Sequence, residues 1–227
     1  MTSPPLAAVL WDMDGTLVDT EPYWMAAEGP LVERFGGTWS HEQALELVGM
    51  GLEDSARIFQ EAGVRMGVQD IVDHLSDTVM QQLAVDGVPF RPGARELLAD
   101  LRAAGIKTGL VTMSLRRMAL TVVDLIDFEA FDVIIAGDDS TRPKPFPDPY
   151  LQACEALGVD PSEVVAIEDS PNGLRSAVAS GAAVIGVPLM VSIAGAGAHT
   201  VWPSLDGTTA KDVADFHAAH RTREAAR

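Results

Sequence analysis

Short unbroken apolar runs alternate with helix-spaced segments along most of this chain, and that alternation leaves few folds open. The runs are Leu6–Trp11, Ile106–Thr112, Val133–Ala136, Val164–Glu168 and Val184–Val187, with Thr200–Trp202 as a weaker edge. Between them lie the helical patterns Ala94–Ala104, Leu115–Ile126, Asp148–Leu157 and Leu174–Ser180. A strand that is apolar on both sides must be covered on both faces. Strands joined through helices run parallel. The expected core is therefore an α/β parallel sheet with helices on both faces.

One stretch breaks the rhythm. Residues 22–86 read as helices at Tyr23–Phe35, Glu42–Leu47, Glu53–Glu61 and Ile71–Leu83, with no convincing strand among them. This predicts a helical insert after the first strand, joined by linkers near Val18–Thr20 and Val88–Pro92. The expected division is a Rossmann-like core, 1–18 and 91–227, and a helical cap, 19–90. Charge supports it: residues 19–90 hold 13 Asp and Glu against 3 Lys and Arg, in a chain of net charge -17. So acidic a protein is a poor partner for nucleic acid or an anionic membrane. The tail from His220 is expected to fray. The lone Cys154 lies in a helical pattern and reads as a small core residue. With no disulfide to form and no basic leader before the first apolar run, the expected location is cytoplasmic.

In open parallel sheets, ligands bind beyond the carboxyl ends of the strands. Asp12 and Asp14 follow the first run, in "VLWDMDGTLVDT"; Thr112 and Ser114 follow the second. Lys144 lies in the loop after the third, and Glu168 and Asp169 end the fourth, in "IEDSPNGL". Each residue alone has an ordinary explanation. Asp precedes many turns, Ser170-Pro171 suits a helix start, and a loop lysine usually faces water. Together, in order on successive strand ends, they make one acid-rich rim with hydroxyls and a single lysine. Clustered carboxylates need a cation, and an all-oxygen set suits a hard one such as Mg2+. A carboxylate can also act as a nucleophile towards phosphorus.

"DMDGTLVDT", "VTMS", the lone Lys144 and "EDSPNG" resemble, in order, the four motifs of the haloacid dehalogenase superfamily. The insert resembles the small helical cap of its phosphoglycolate phosphatase and β-phosphoglucomutase branch. The resemblance implies that Asp12 is the nucleophile and Asp14 the general acid and base, with the Asp14 backbone carbonyl on the metal. It makes Asp169 the principal metal carboxylate, with Asp12 sharing the ion and Glu168 beside them as ligand or outer support. It gives Thr112 and Lys144 the transferring phosphoryl group, Mg2+ as cofactor, and a small phosphorylated molecule as partner.

Departures narrow the choice. The dehalogenases lack the second aspartate. The phosphonatases use a cap lysine, and 19–90 contains none. The mutases carry a histidine and an arginine where this chain has Trp24 and Leu52. "DTEPYW" looks instead like the sugar-phosphate and hexitol-phosphate phosphatases. The expected function is thus a Mg2+-dependent phosphatase of a sugar or polyol phosphate, acting through an aspartyl-phosphate. A β-phosphoglucomutase-type phosphotransferase is the alternative. A non-hydrolytic receiver phosphorylated on Asp is a weaker one, because receivers are shorter and carry no insert after the first strand.

Overall fold

The computed structural model describes residues 5–225. Its first strand is β1 (Ala8–Trp11), and four helices follow at once: α1 (Glu21–Arg34), α2 (His41–Leu47), α3 (Leu52–Glu61) and α4 (Val68–Asp86). The chain then alternates as expected through α5 (Ala94–Ala103), β2 (Lys107–Val111), α6 (Arg116–Asp124) and β3 (Val133–Ile135). It continues through α7 (Asp148–Leu157), β4 (Val164–Glu168), α8 (Pro171–Ser180), β5 (Ala183–Gly186) and β6 (Thr200–Val201), and ends in α9 (Ala210–Ala225). No helix among the described residues is long and apolar enough to cross a membrane.

The six strands pair in the order β3-β2-β1-β4-β5-β6. Every pairing is parallel. Strand order reverses at β1: β2 and β3 lie on one side of it, β4 to β6 on the other. That reversal opens a crevice at the carboxyl end of β1. Register brings the strand ends level, since Trp11 faces Leu110 on β2 and Ile167 on β4. The residues just beyond them therefore converge.

Both faces of β1 are buried, and its side chains alternate between two cores. Ala8 and Leu10 pack with Tyr150, Cys154 and Leu174 from α7 and α8. Val9 and Trp11 join the other cluster, with Leu97, Leu98 and Met118 from α5 and α6. That second cluster runs on through Met13, Leu17 and Val18 into Trp24, Leu31, Phe59 and Ile71 of the insert. The insert thus shares apolar packing with the sheet instead of hanging from bare linkers. The linkers also pair: Asp19 N–H donates to Pro89 O at 2.7 Å, and Arg91 N–H to Leu17 O at 3.0 Å.

Expectation and structure part at the C-terminus. The segment from His220 does not fray but continues α9 to Ala225, and Ala226 and Arg227 lie outside the described residues. Val213 and His217 are buried on its inner side, and the His217 Nε2 pairs with Ser162 O at 2.9 Å. Lys211–Asp215 and Arg221–Glu224 pairs line its outer side. A polar composition hid the anchoring face, because only two or three buried residues hold it.

Candidate active site

The chain leaves β1 through a tight turn. Leu17 and Val18 N–H groups both donate to Met13 O, and Gly15 N–H donates to Val18 O at 2.7 Å. Gly15 has φ +82°, and a Cβ there would stand 2.1 Å from Asp169 Oδ2. Glycine answers both demands, left-handed backbone and close approach to an acid. Its carbonyl is held by the Arg91 guanidinium at 2.6 Å, which also reaches Val187 O at 2.8 Å.

Asp12 leaves the sheet with its N–H on Ile167 O. Its Oδ1 accepts from Lys144 Nζ at 2.6 Å. The same ammonium donates to Glu168 Oε1 at 2.5 Å and Val111 O at 2.9 Å. Lys144 is only 4% exposed, so its charge is spent on this site and not on solvent. Glu168 is fully buried and also accepts from Tyr150 OH at 2.8 Å. A Cβ on Gly173, in the first turn of α8, would fall 2.0 Å from the Glu168 carboxylate, so that helix must begin with a bare backbone there. Ser170 caps α8 through Gly173 N–H at 3.1 Å, with Pro171 in the first turn. The ordinary reading of "SPNG" as a helix start is thus correct, and this helix start packs on the site.

Asp14 is held from both sides. Thr20 Oγ1 and Trp24 Nε1 donate to its Oδ1, the latter at 3.3 Å. Ser114 Oγ donates to Oδ2 at 2.7 Å, and Thr112 Oγ1 faces the same oxygen at 3.4 Å. Thr20 stands at the N-cap of α1 but makes no side-chain cap. Its hydroxyl has been diverted to Asp14, at a cost in capping of roughly 1 kcal/mol.

The electrostatics are those of crowded acids. Burial raises Asp12 to about 7, reinforced by Glu168 and opposed by Lys144. Burial, followed by repulsion from Asp12 and Glu168, pushes Asp169 well above the usual carboxylate range. Burial by itself would lower the Lys144 ammonium, but Asp12 and Glu168 overcome it and hold that group above its ordinary value. Asp12 Oδ2 and Asp169 Oδ2 are buried with no hydrogen-bond partner. Bare buried carboxylate oxygens are costly. One oxygen each from Asp12, Glu168 and Asp169 lie within 4.8 Å of one another. The set fits a hard divalent cation with oxygen ligands.

Above this cluster, α1 to α4 close a cavity of about 80 Å³. That is room for roughly five waters. Asp12, Asp14, Thr112, Lys144 and Asp169 line its floor, while Glu21, Trp24, Glu28 and Phe59 line its roof. All six residues singled out from the sequence, Asp12, Asp14, Thr112, Lys144, Glu168 and Asp169, gather at this one rim. Thr112 differs in detail: its hydroxyl faces Asp14 and accepts from Ser114 N–H at 3.0 Å. The sequence reading did not single out Thr20, Glu21, Glu28 or Tyr150. Thr20 carried a signal, since a hydroxyl residue just past a tight turn can reach back to the acid before it. Glu28 and Tyr150 carried none beyond helical spacing.

The haloacid dehalogenase-like hydrolase family matches residues 9–187. The chain belongs to that family. This haloacid dehalogenase-like hydrolase is 31% identical over 180 residues to the phosphorylated carbohydrates phosphatase of Thermotoga maritima, covering 78% of this chain and 82% of the relative. It is 30% identical over 193 residues to hexitol phosphatase B of Escherichia coli K12, covering 83% and 86%. A solved structure of mutant CbbY from Rhodobacter sphaeroides, in complex with xylulose-(1,5)-bisphosphate, superposes with a TM-score of 0.80 at 28% identity. It covers 89% of this chain and 96% of that one. The family hydrolase therefore has the fold and the family membership that its four motifs imply.

Proposed function

We propose that this phosphoric monoester hydrolase is a Mg2+-dependent phosphatase of small sugar or polyol phosphates, acting through an aspartyl-phosphate on Asp12. The observation that carries the reading is Lys144 pinned between Asp12 and Glu168, beside the bare buried oxygens of Asp12 and Asp169. An acid pair with a shared buried cation and two unsatisfied oxygens suits a phosphoryl group and a metal better than it suits packing. The named activities of the carbohydrate and hexitol phosphatases support the choice of substrate.

In this reading the Asp12 carboxylate attacks phosphorus, and the bond to the leaving oxygen breaks. Asp14, steadied by Thr20, Trp24 and Ser114, gives that oxygen its proton. Asp14 then takes a proton from the water that attacks phospho-Asp12, which releases inorganic phosphate and restores the carboxylate. Lys144 holds negative charge on Asp12 in place, and Glu168 with Tyr150 holds Lys144. Asp12 and Asp169, with the Asp14 carbonyl and Glu168 alongside, would hold Mg2+, which neutralises phosphoryl charge when bound. Residues 19–90 act as a cap that opens for substrate and excludes water when closed. Arg117 of the core pairs with Asp73 at 2.9 Å and Asp77 at 3.1 Å on α4, across the seam such motion would part.

The mutase alternative has less support, because Trp24 and Leu52 stand where that branch carries its histidine and arginine. The test is phosphate release from a panel of phosphorylated metabolites, with Mg2+ and with chelator. Turnover of none of them in Mg2+ would refute the reading.

A further inference from the structure

Helix α1 carries Glu21, Trp24 and Glu28, spaced three and four residues apart and so on one face. All three line the cavity above Asp14. Both residues are largely buried, at 8% and 6% exposure, and what remains open faces the cavity. Acids in a roof lined mostly by apolar side chains such as Leu47, Phe59, Val72 and Leu75 need a reason. Trp39 Nε1 donates to Glu28 Oε2 at 2.9 Å, and Trp39 is itself held against Phe59 with ring centroids 4.8 Å apart. The other Glu28 oxygen, and both oxygens of Glu21, have no hydrogen-bond donor among the described residues. Along α1, Glu28 lies about 10 Å beyond Glu21, seven residues at 1.5 Å each. The pair therefore marks out a lane leading away from the phosphoryl site.

The cations nearby are committed elsewhere. Arg57 pairs with Glu53 and Asp54, Arg116 with Asp139, and Arg117 with Asp73 and Asp77. Among the described residues lining the cavity, Lys144 is the sole Lys or Arg, and it is bound to Asp12. The roof offers carboxyl groups to hydroxyls and no cation to meet a second anion.

We propose that Glu21 and Glu28 are the specificity-determining residues of the leaving-group subsite, accepting hydrogen bonds from hydroxyls of an uncharged polyol or sugar chain and rejecting a second anionic group. Glu28 reads the end far from phosphorus, with its position set by Trp39. This rests on the phosphatase reading above.

The test uses the full chain in Mg2+ and compares kcat/KM for sorbitol 6-phosphate, phosphoglycolate and phosphoethanolamine. The wild type should prefer sorbitol 6-phosphate to phosphoglycolate by tenfold or more, about 1.4 kcal/mol of transition-state binding. In Glu28→Ala that ratio should fall at least tenfold, chiefly through KM for the polyol. Glu28→Gln keeps an acceptor in the same volume, so it should keep the KM for the polyol while relaxing the rejection of phosphoglycolate. Trp39→Phe, which frees Glu28 from its anchor, should lower the ratio part-way. A ratio unchanged in Glu28→Ala, or a wild type that prefers phosphoglycolate, overturns the subsite. So does a preference for phosphoethanolamine, which would show that the acids pair with an ammonium group. Hydrolysis of none of the three, with turnover of other phosphate esters, also overturns the subsite alone. No turnover of any phosphate ester overturns the phosphatase reading beneath it.

Discussion

The indole N–H of Trp24 points at Oδ1 of Asp14 from 3.3 Å, on the same oxygen that Thr20 reaches. A residue of the helical insert thus fixes a residue of the sheet rim. Trp24 is also buried in the shared apolar cluster, so packing and hydrogen bonding are combined in one side chain. Trp24→Phe keeps most of the packing and removes the donor. A hydrogen bond to a charged group is worth about 1.5–3 kcal/mol, so kcat should fall about 10- to 100-fold while Tm moves little. An unchanged kcat would make Trp24 a packing residue only.

Metal removal should abolish turnover of p-nitrophenyl phosphate, and Mg2+ should restore it. A second readout does not depend on activity. Adding Mg2+ to the metal-free protein should raise Tm, by mass action on the native state. Asp169→Ala should lose that shift. Activity in excess EDTA, or a Tm indifferent to Mg2+, would rule out the assignment.

Asp12→Asn should eliminate turnover and raise the Tm of the metal-free protein, because one of the crowded buried carboxylates is exchanged for a neutral amide while Lys144 keeps Glu168 as its partner. In the wild type, fluoroberyllate with Mg2+ should add to Asp12 as a stable phospho-aspartate mimic, visible in native mass spectrometry. Normal turnover by Asp12→Asn would refute the nucleophile.

Lys144→Met should destabilise the protein by about 3–5 kcal/mol, since it strands Asp12 and Glu168 beside each other. Adding Glu168→Gln removes one of those charges. The double variant should regain a good part of the stability in urea titrations and none of the turnover. If the two substitutions are simply additive, Lys144 and Glu168 are not coupled as their 2.5 Å contact implies.

Glu21 should make stability fall with pH. Burial, followed by repulsion from Asp14 and Glu28, raises its carboxyl to about 8, against 4.5 as the ordinary value. Between those values the folded chain holds a proton that the unfolded chain has released. The stability this gives is complete below about pH 4.5 and is lost as pH rises through 8. Glu21→Gln removes the dependence. In metal-free protein it should raise Tm more at pH 8.5 than at pH 5, and an equal shift at both would contradict this. A cavity-lining residue that weakens the fold is a familiar form of functional compromise.

Much of this protein was written in its local sequence. The parallel sheet followed from apolar runs too short for helices and too continuous for a half-exposed sheet. The helical insert followed from the loss of those runs between Thr20 and Pro89. The order of acids, hydroxyls and lysine on successive strand ends marked the rim, because strand ends in a parallel sheet share one edge. What tertiary structure alone decided were the pairings across long separations. Lys144 meets Asp12 from 132 residues away, Ser114 meets Asp14 from 100, and Tyr150 meets Glu168 from the far core. Helix α9 is of the same kind, since its hold on the core lies in the burial of Val213 and His217 and not in its polar composition. Glu28 is the sharpest case. On a helix surface it would be one more solvated acid in an acidic stretch. Only the packing of α1 over the strand ends turns it inward, against Trp39 and into the cavity above the rim.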